Sequence, residues 1–305
     1  MIKKTILLLT LVLGWNGLRA QRESTNDFVP YYPGTDNKQY LLIAPGTLGP
    51  NALPIPAILD GEVGTDNLFR IACDSYFRDG GGDNGHSLMI NFRFPVVQNF
   101  MAFELQWNLL EYFHTTNEVR DIMQLFKDDP GWTLNRGDLI LNTYIQLLQE
   151  RSFWPAFMVV NALKTTTGSI KDGRATDLPA HWHYMSMGKQ LVNFGQFQFR
   201  LNAMAGFYVW QTNQFDLEQN EGFLWGLESQ FNYRKLELGV GTSGYNGWKW
   251  YGEDRPIQLK GRLIINNPIV NYFVEYKTGL QDYYYSSFSV GINWHPRSPF
   301  KLDRH

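Results

Sequence analysis

From residue 68 to residue 294 the chain reads as strand-length segments with period-2 alternation, and the connections between them alternate short and long. The stretch 222–233 is representative. Phe223, Trp225, Leu227, Phe231 and Tyr233 take one face, and Gly226, Glu228, Gln230 and Asn232 take the other. After Arg234-Lys235 the alternation resumes with Leu236, Leu238 and Val240 against Glu237, Gly239 and Gly241. Two such runs across a two-residue link form a hairpin signal.

The same reading gives twelve segments: 68–78, 86–95, 100–110, 137–149, 153–165, 181–190, 196–210, 222–233, 236–245, 256–266, 269–278 and 283–294. Most match the roughly 9–11 residues that a tilted strand needs to cross a bilayer. Links at 96–99, 150–152, 191–195, 234–235 and 267–268 are short, whereas 111–136 and 166–180 are long. The link at 279–282 breaks the rule by being short. Sorting by parity is expected where tight turns face the periplasm and longer loops face outside. A soluble sandwich has no reason to sort its loops this way.

The start of the chain fits export. Met1-Ile2-Lys3-Lys4 is a short basic segment, residues 5–18 are mostly apolar, and Ala20 precedes a polar stretch, which is the layout of a signal peptide over residues 1–20. Residues 21–67 carry many turn formers, including Ala44-Pro45-Gly46 and 49–56 (GPNALPIP), with one short strand expected at 39–43. They read as an extended proline-rich N-terminal segment, either periplasmic or plugging a lumen. The barrel would then occupy 68–295 and a tail 296–305. The single Cys73 excludes an internal disulfide framework, and a net charge of −2 argues against nucleic acid as a partner.

In hydrocarbon every backbone group needs a partner, so a sheet spans a membrane only when closed. The expected fold is therefore all-β, a transmembrane antiparallel barrel of about 12 strands in the outer membrane of a diderm bacterium. Its aromatic face meets lipid and its polar face lines the lumen. By alternation the lumen receives Arg70, Arg78, Arg93, Lys189, Arg200, Lys260, Arg262 and Lys277, with Asp74, Glu104, Asp138, Glu228, Glu237 and Glu275. Symmetric tight turns would set Lys260 opposite Glu275 and Arg93 beside Glu104. Such charges either hold a narrow barrel together or select solutes at a constriction.

Three other features carry possible chemistry. His181-Trp182-His183 puts two imidazoles on one face, a geometry open to metal binding or base catalysis. The glycine-rich loop 79–86 (DGGGDNGH) offers Asp79 and Asp83 as oxygen ligands for calcium, although exposed-loop composition accounts for it equally well. His86-Ser87 suggests a lipase pair, but adjacent strand residues point to opposite faces. Residues 117–127 (NEVRDIMQLFK) place Val119, Ile122, Met123 and Phe126 at helical spacing, as in a short helix folded over a barrel mouth. No cofactor is expected.

The leader, the proline-rich segment 44–56, the loop 79–86 and the terminal aromatic strand together resemble uncharacterised outer-membrane β-barrel proteins of Bacteroidota-type bacteria. The resemblance covers most of the mature chain and assigns no catalytic residue. Residues 295–305 continue past Trp294, where many outer-membrane barrels end on an aromatic. The function expected is a narrow or plugged channel for small solutes. The alternatives are a membrane-embedded enzyme acting on lipid or glycan, and a surface binding or assembly component.

Overall fold

The computed structural model describes residues 43–296 apart from 124, 126–128, 130, 169–171, 177, 215–216 and 249–252, with backbone only at 212–214 and 217–218. The expected leader at 1–20, nearly all of the short strand at 39–43 and most of the tail at 296–305 lie outside the described residues.

Among the described residues thirteen strands form one antiparallel sheet: β1 (Leu68–Arg78), β2 (Asp83–Val97), β3 (Met101–Thr115), β4 (Thr133–Asn135), β5 (Leu139–Leu148), β6 (Ala156–Lys164), β7 (Ala180–Phe194), β8 (Phe197–Gln214), β9 (Leu217–Tyr233), β10 (Leu236–Gly247), β11 (Ile257–Ile265), β12 (Val270–Gln281) and β13 (Tyr285–Trp294). Twelve of them close a barrel. The closure runs from β13 back to β1, with Phe69 opposite Trp294 and Arg78 opposite Tyr285. β4 is an addition to the upper end of β3, pairing Tyr112 with Leu134.

Closure pairs each of the twelve barrel strands on both sides, which meets the demand that hydrocarbon places on the backbone, and leaves only the short β4 as an edge among the described residues. The exterior is apolar, with Phe207, Phe223, Leu227, Leu238, Val240, Tyr276 and Phe288 among its exposed large side chains. This is the aromatic face of the alternation. All twelve expected segments are strands, and several run further than their alternation. β8 and β9 continue to a hairpin whose ladder reaches Gln214 and Leu217, so the connection there is short rather than long.

Two turns differ from expectation. The link after β7 is Gly195-Gln196, with Phe194 opposite Phe197, rather than 191–195. Gly195 takes φ of 60°, the left-handed backbone that a two-residue hairpin turn requires. Between β11 and β12 the register is offset: Ile265 pairs with Tyr272, so Lys260 lies opposite Lys277 and Arg262 opposite Glu275. Pro268 has no N–H to donate, and the Asn271 side chain instead accepts from the Asn267 N–H at 2.9 Å, which widens this turn.

A bulge in β3 redirects its upper half. Leu88 pairs with Leu110 while Met89 pairs with Asn108, so Leu109 is the extra residue. Below it Ala102, Glu104 and Asn108 face inward; above it Glu111, Phe113 and Thr115 do. The loop after β3 carries helix α1 (Asn117–Ile122), shorter than the expected 117–127. Val119 and Met123 turn into the barrel mouth while Ile122 is exposed, so the helical face is narrower than its spacing suggested. Phe126 lies outside the described residues.

Candidate functional site: the occupied lumen

The barrel interior is filled by the chain's own N-terminal segment. Ile43, Leu48, Leu53, Ile58 and Val63 are all buried, in one core with the wall residues Tyr144, Met158, Trp182, Tyr184, Met204, Tyr208, Leu224 and Tyr245. Burying each such aliphatic side chain is worth about 1.5–3 kcal/mol relative to leaving it in water. The direction of the segment follows from its main-chain bonds. Gly46 N–H donates to Glu253 O (2.8 Å) and Gly49 N–H to Gly173 O (2.9 Å), both in loops at the long-loop end. At the other end Asn99 N–H, in the tight β2–β3 turn, donates to Gly64 O at 3.1 Å. The chain therefore threads the lumen from the long-loop mouth to the short-turn end and passes directly into β1.

The wall is shaped for this passage. A Cβ on Gly188 would lie 2.1 Å from the Asp60 carbonyl oxygen, and one on Gly226 would lie 2.8 Å from Ile58 Cγ1. At Gly188 the close neighbour is main chain, so only glycine's hydrogen fits; at Gly226 a larger residue must push the Ile58 and Met204 side chains aside. Beside the segment, aromatic rings from β7, β8 and β10 stack in a row: Trp182 on Tyr208 (4.9 Å) and Tyr208 on Tyr245 (4.2 Å between centroids).

The upper lumen holds a buried charge cluster. Arg174, from the loop after β6, is fully buried and pairs with Asp83. Its guanidinium also lies 3.7 Å from Glu111, donates to Thr115 Oγ1 (2.9 Å), and sits 4.1 Å over the Phe113 ring. Tyr76 donates to Glu111 (2.6 Å) and Tyr285 to Asp83 (2.5 Å). Lys164 Nζ and Asp138 form a second buried pair at 2.5 Å. Arg174, Glu111 and Lys164 were not singled out from sequence. A loop arginine shows no period, and the bulge at Leu109 inverts the face of Glu111.

The lower lumen is charged and partly open. Glu275 lies 3.0 Å from Lys277 and 3.8 Å from Lys260, while Arg262 reaches Glu228 (3.4 Å) and Glu237 (3.3 Å). Arg262 and Lys277 retain 18 % and 27 % side-chain exposure although both face inward, so this wall borders unfilled space. Arg93 lies opposite Glu104 in register, and its guanidinium approaches the Tyr144 ring at 6.0 Å. Arg70 covers the Phe273 ring at 3.8 Å. Arg200 joins the segment to the rim, bonding Glu150 (2.6 Å) and the Asp60 carbonyl (2.7 Å). Burial pushes the Glu150 carboxyl up, but the Gln190 N–H, Arg200 and Lys189 outweigh it and hold it below its ordinary value.

The other candidate groups are dispersed. Lys189 shares the outward face of Leu201, its register partner, and its Nζ reaches Arg151 O (2.6 Å) and Ser152 O (3.0 Å) at the rim, so it does not line the lumen. His181 and His183 stand on the exterior, 3.1 Å apart, with His183 bonded to Asn161 at 2.8 Å. Asp79 and Asp83 do not converge on an ion: Asp83 is committed to Arg174, Tyr285 and Thr115, while Asp79 lies 3.5 Å from Ser286. His86 and Ser87 diverge as adjacent strand residues must. Ser87 turns inward toward Asp74 (3.4 Å), and His86 faces out, 2.9 Å from Ser75 Oγ and stacked on Trp132.

No protein-family model and no curated protein matches the chain. Among solved structures it is similar to the KdgM porin, at 9 % identity and TM-score 0.44 over 74 % of this chain and 98 % of that one. It is similar to an outer membrane channel from Pseudomonas putida F1 at 10 % identity and TM-score 0.45, covering 82 % and 100 %. The β domain of the Bordetella autotransporter BrkA matches at 12 % identity and TM-score 0.44, covering 76 % and 100 %. The assignment rests on the molecule itself: a closed antiparallel barrel of twelve long strands, apolar outside and with its buried charged residues turned inward, is an outer-membrane β-barrel.

Proposed function

We propose that the protein is a plugged outer-membrane channel for small solutes, of the kind carried by Bacteroidota-type bacteria, with outer-membrane lipid around it and a small solute as the lumen's partner. One observation carries this reading. The lumen is occupied by an extended segment rather than by side chains of the wall alone. The segment is held at both rims by hydrogen bonds, and the charged wall of Arg262 and Lys277 stays partly exposed. A barrel serving only as a structural anchor has no need for glycine notches at Gly188 and Gly226 that fit a passing chain.

In this account the short turns face the periplasm and the long loops face outside. Solute meets the Arg262, Lys277 and Glu275 wall when the segment shifts. Single-channel recording in planar bilayers tests it by comparing the full chain with a variant lacking residues 45–63. The full chain should stay closed or open rarely, and the variant should conduct steadily. A variant that keeps the heat-dependent gel shift of a folded barrel yet never conducts contradicts the proposal.

A further inference from the structure

The hydrogen bonds from the lumen wall to the segment inside it fall mainly on main-chain atoms. Tyr245 Oη donates to the Leu53 carbonyl (3.0 Å), Tyr184 Oη to that of Ala57 (3.1 Å) and Ser186 Oγ to that of Leu59 (2.7 Å). Arg200 Nη2 donates to the Asp60 carbonyl and Gln146 Nε2 to the Gly61 carbonyl, each at 2.7 Å. The Gln146 side chain then accepts from the Val63 N–H at 2.7 Å, so one amide clasps the chain from both sides. These donors come from β5, β7, β8 and β10 and follow the segment over eleven consecutive residues, 53–63. Polar side chains of the segment engage the wall only near its ends among the described residues, through Asn51 to Glu111 (3.5 Å) and Glu62 to Arg200 (3.6 Å).

Main-chain hydrogen bonds give affinity without dictating sequence, as when an extended peptide is added to a sheet edge. The Gly188 notch acts the same way, since it makes room for a carbonyl oxygen and not for a particular side chain, whereas Gly226 admits the apolar Ile58 side chain. The Leu53, Ile58 and Val63 side chains add apolar burial, so the recognised chemistry is an extended, apolar polypeptide.

We propose that the lumen is a receptor for an extended polypeptide segment, occupied in cis by residues 50–63, and that peptides of this chemistry are the channel's solute class. This rests on the reading of the lumen as the solute path. A covalently tethered segment competes at millimolar effective concentration, so a free peptide gains access only once the tether is cut or displaced.

The test uses the full chain with a protease recognition sequence inserted between Gly64 and Thr65, beside exposed Gly64 and Asp66 at the short-turn end. After folding and cleavage, a fluorescent synthetic peptide of residues 43–64 is added and binding is read by anisotropy. The nicked protein should retain its N-terminal fragment, exchange it for the labelled peptide saturably, and lose affinity about fivefold for each of Tyr184→Phe and Tyr245→Phe, the scale of one lost hydrogen bond. A fragment that never exchanges, or that leaves and is not replaced by the peptide, overturns the proposal. Conductance of the same sample separates the two readings. Conduction without peptide binding keeps the channel and overturns the receptor; peptide binding without conduction keeps the receptor and removes the channel. Should the insertion abolish the gel shift, amide exchange in the uncut Tyr184→Phe, Tyr245→Phe variant decides. Faster exchange confined to residues 51–63 supports the receptor, and unchanged protection overturns it.

Discussion

Arg174 and Asp83 form an ion pair inside the barrel, although Arg174 belongs to the loop after β6 and Asp83 opens β2, with β3 and β5 between them in the wall. Both are fully buried. The pair ties a long loop to the wall, and Gly49 of the threaded segment packs against the same guanidinium, whose Nη1 would lie 2.6 Å from a Cβ there. Loop, wall and segment are thus joined at one cation.

Arg174→Met should cost about 3–5 kcal/mol, because removing one partner leaves the carboxylates of Asp83 and Glu111 buried without their cation. The expected result is a lower temperature for loss of the folded-barrel gel band, with Asp83→Asn in the Arg174→Met background recovering part of it. Equal stability of Arg174→Met and the parent would remove the cluster's structural role.

Gly188→Ala should displace the segment without unfolding the barrel. Its methyl group would occupy the space of the Asp60 carbonyl oxygen, which stands 2.1 Å away. Limited proteolysis near residues 64–66 should accelerate and open-channel events should become frequent. Gly261→Ala is the control, since nothing lies within 4 Å of a Cβ at that position. Matching behaviour of the two variants would argue against the threaded path.

Acid should loosen the rim latch. Glu150 titrates below its ordinary value in the folded protein, so its contribution is fully present above the unfolded carboxyl's value and is lost as pH falls through the folded one. Hydrogen exchange of residues 149–155 should quicken below about pH 4, the ordinary range of a glutamate. Glu150→Gln should exchange quickly at neutral pH and lose most of this pH dependence. A latch indifferent to both acid and Glu150→Gln would refute the assignment.

Glu275→Gln should raise anion preference in the variant lacking residues 45–63. The carboxylate lies within 4 Å of both Lys277 and Lys260 and opposite Arg262, so its loss leaves cations uncompensated in confined space. Reversal potentials under a salt gradient measure the shift. Tyr276→Phe, on the exposed exterior face, should leave it unchanged. An identical permeability ratio in Glu275→Gln would mean this wall does not line the conducting path.

The strands and their faces were legible because a barrel wall has one wet and one apolar side, and period-2 alternation encodes that directly. Glu228 inward and Leu227 outward follow from it. Register was less legible, since the widened turn at Pro268 moves Lys260 from Glu275 to Lys277. The bulge at Leu109 inverts a face without any local glycine or proline to announce it. The upper charge cluster was not legible at all, because it depends on a loop residue, Arg174, folding back across the mouth. The segment at 43–67 showed its extended character in Pro45, Pro50, Pro54 and Pro56, but a chain threaded through a barrel has no periodic signature.

Disulfide trapping tests the central claim, that residues 43–64 thread the lumen and close it. Ile58→Cys and Gly226→Cys, in a Cys73→Ser background, put two thiols where a Cβ at position 226 would lie 2.8 Å from Ile58 Cγ1. In outer-membrane preparations the account predicts rapid oxidation to an intramolecular disulfide, visible as a gel shift reversed by reductant, with conductance absent while oxidised and no more than rare openings after reduction. Failure of the two cysteines to cross-link in a folded barrel would contradict the threaded segment, and full conductance in the cross-linked state would contradict its role in closing the lumen.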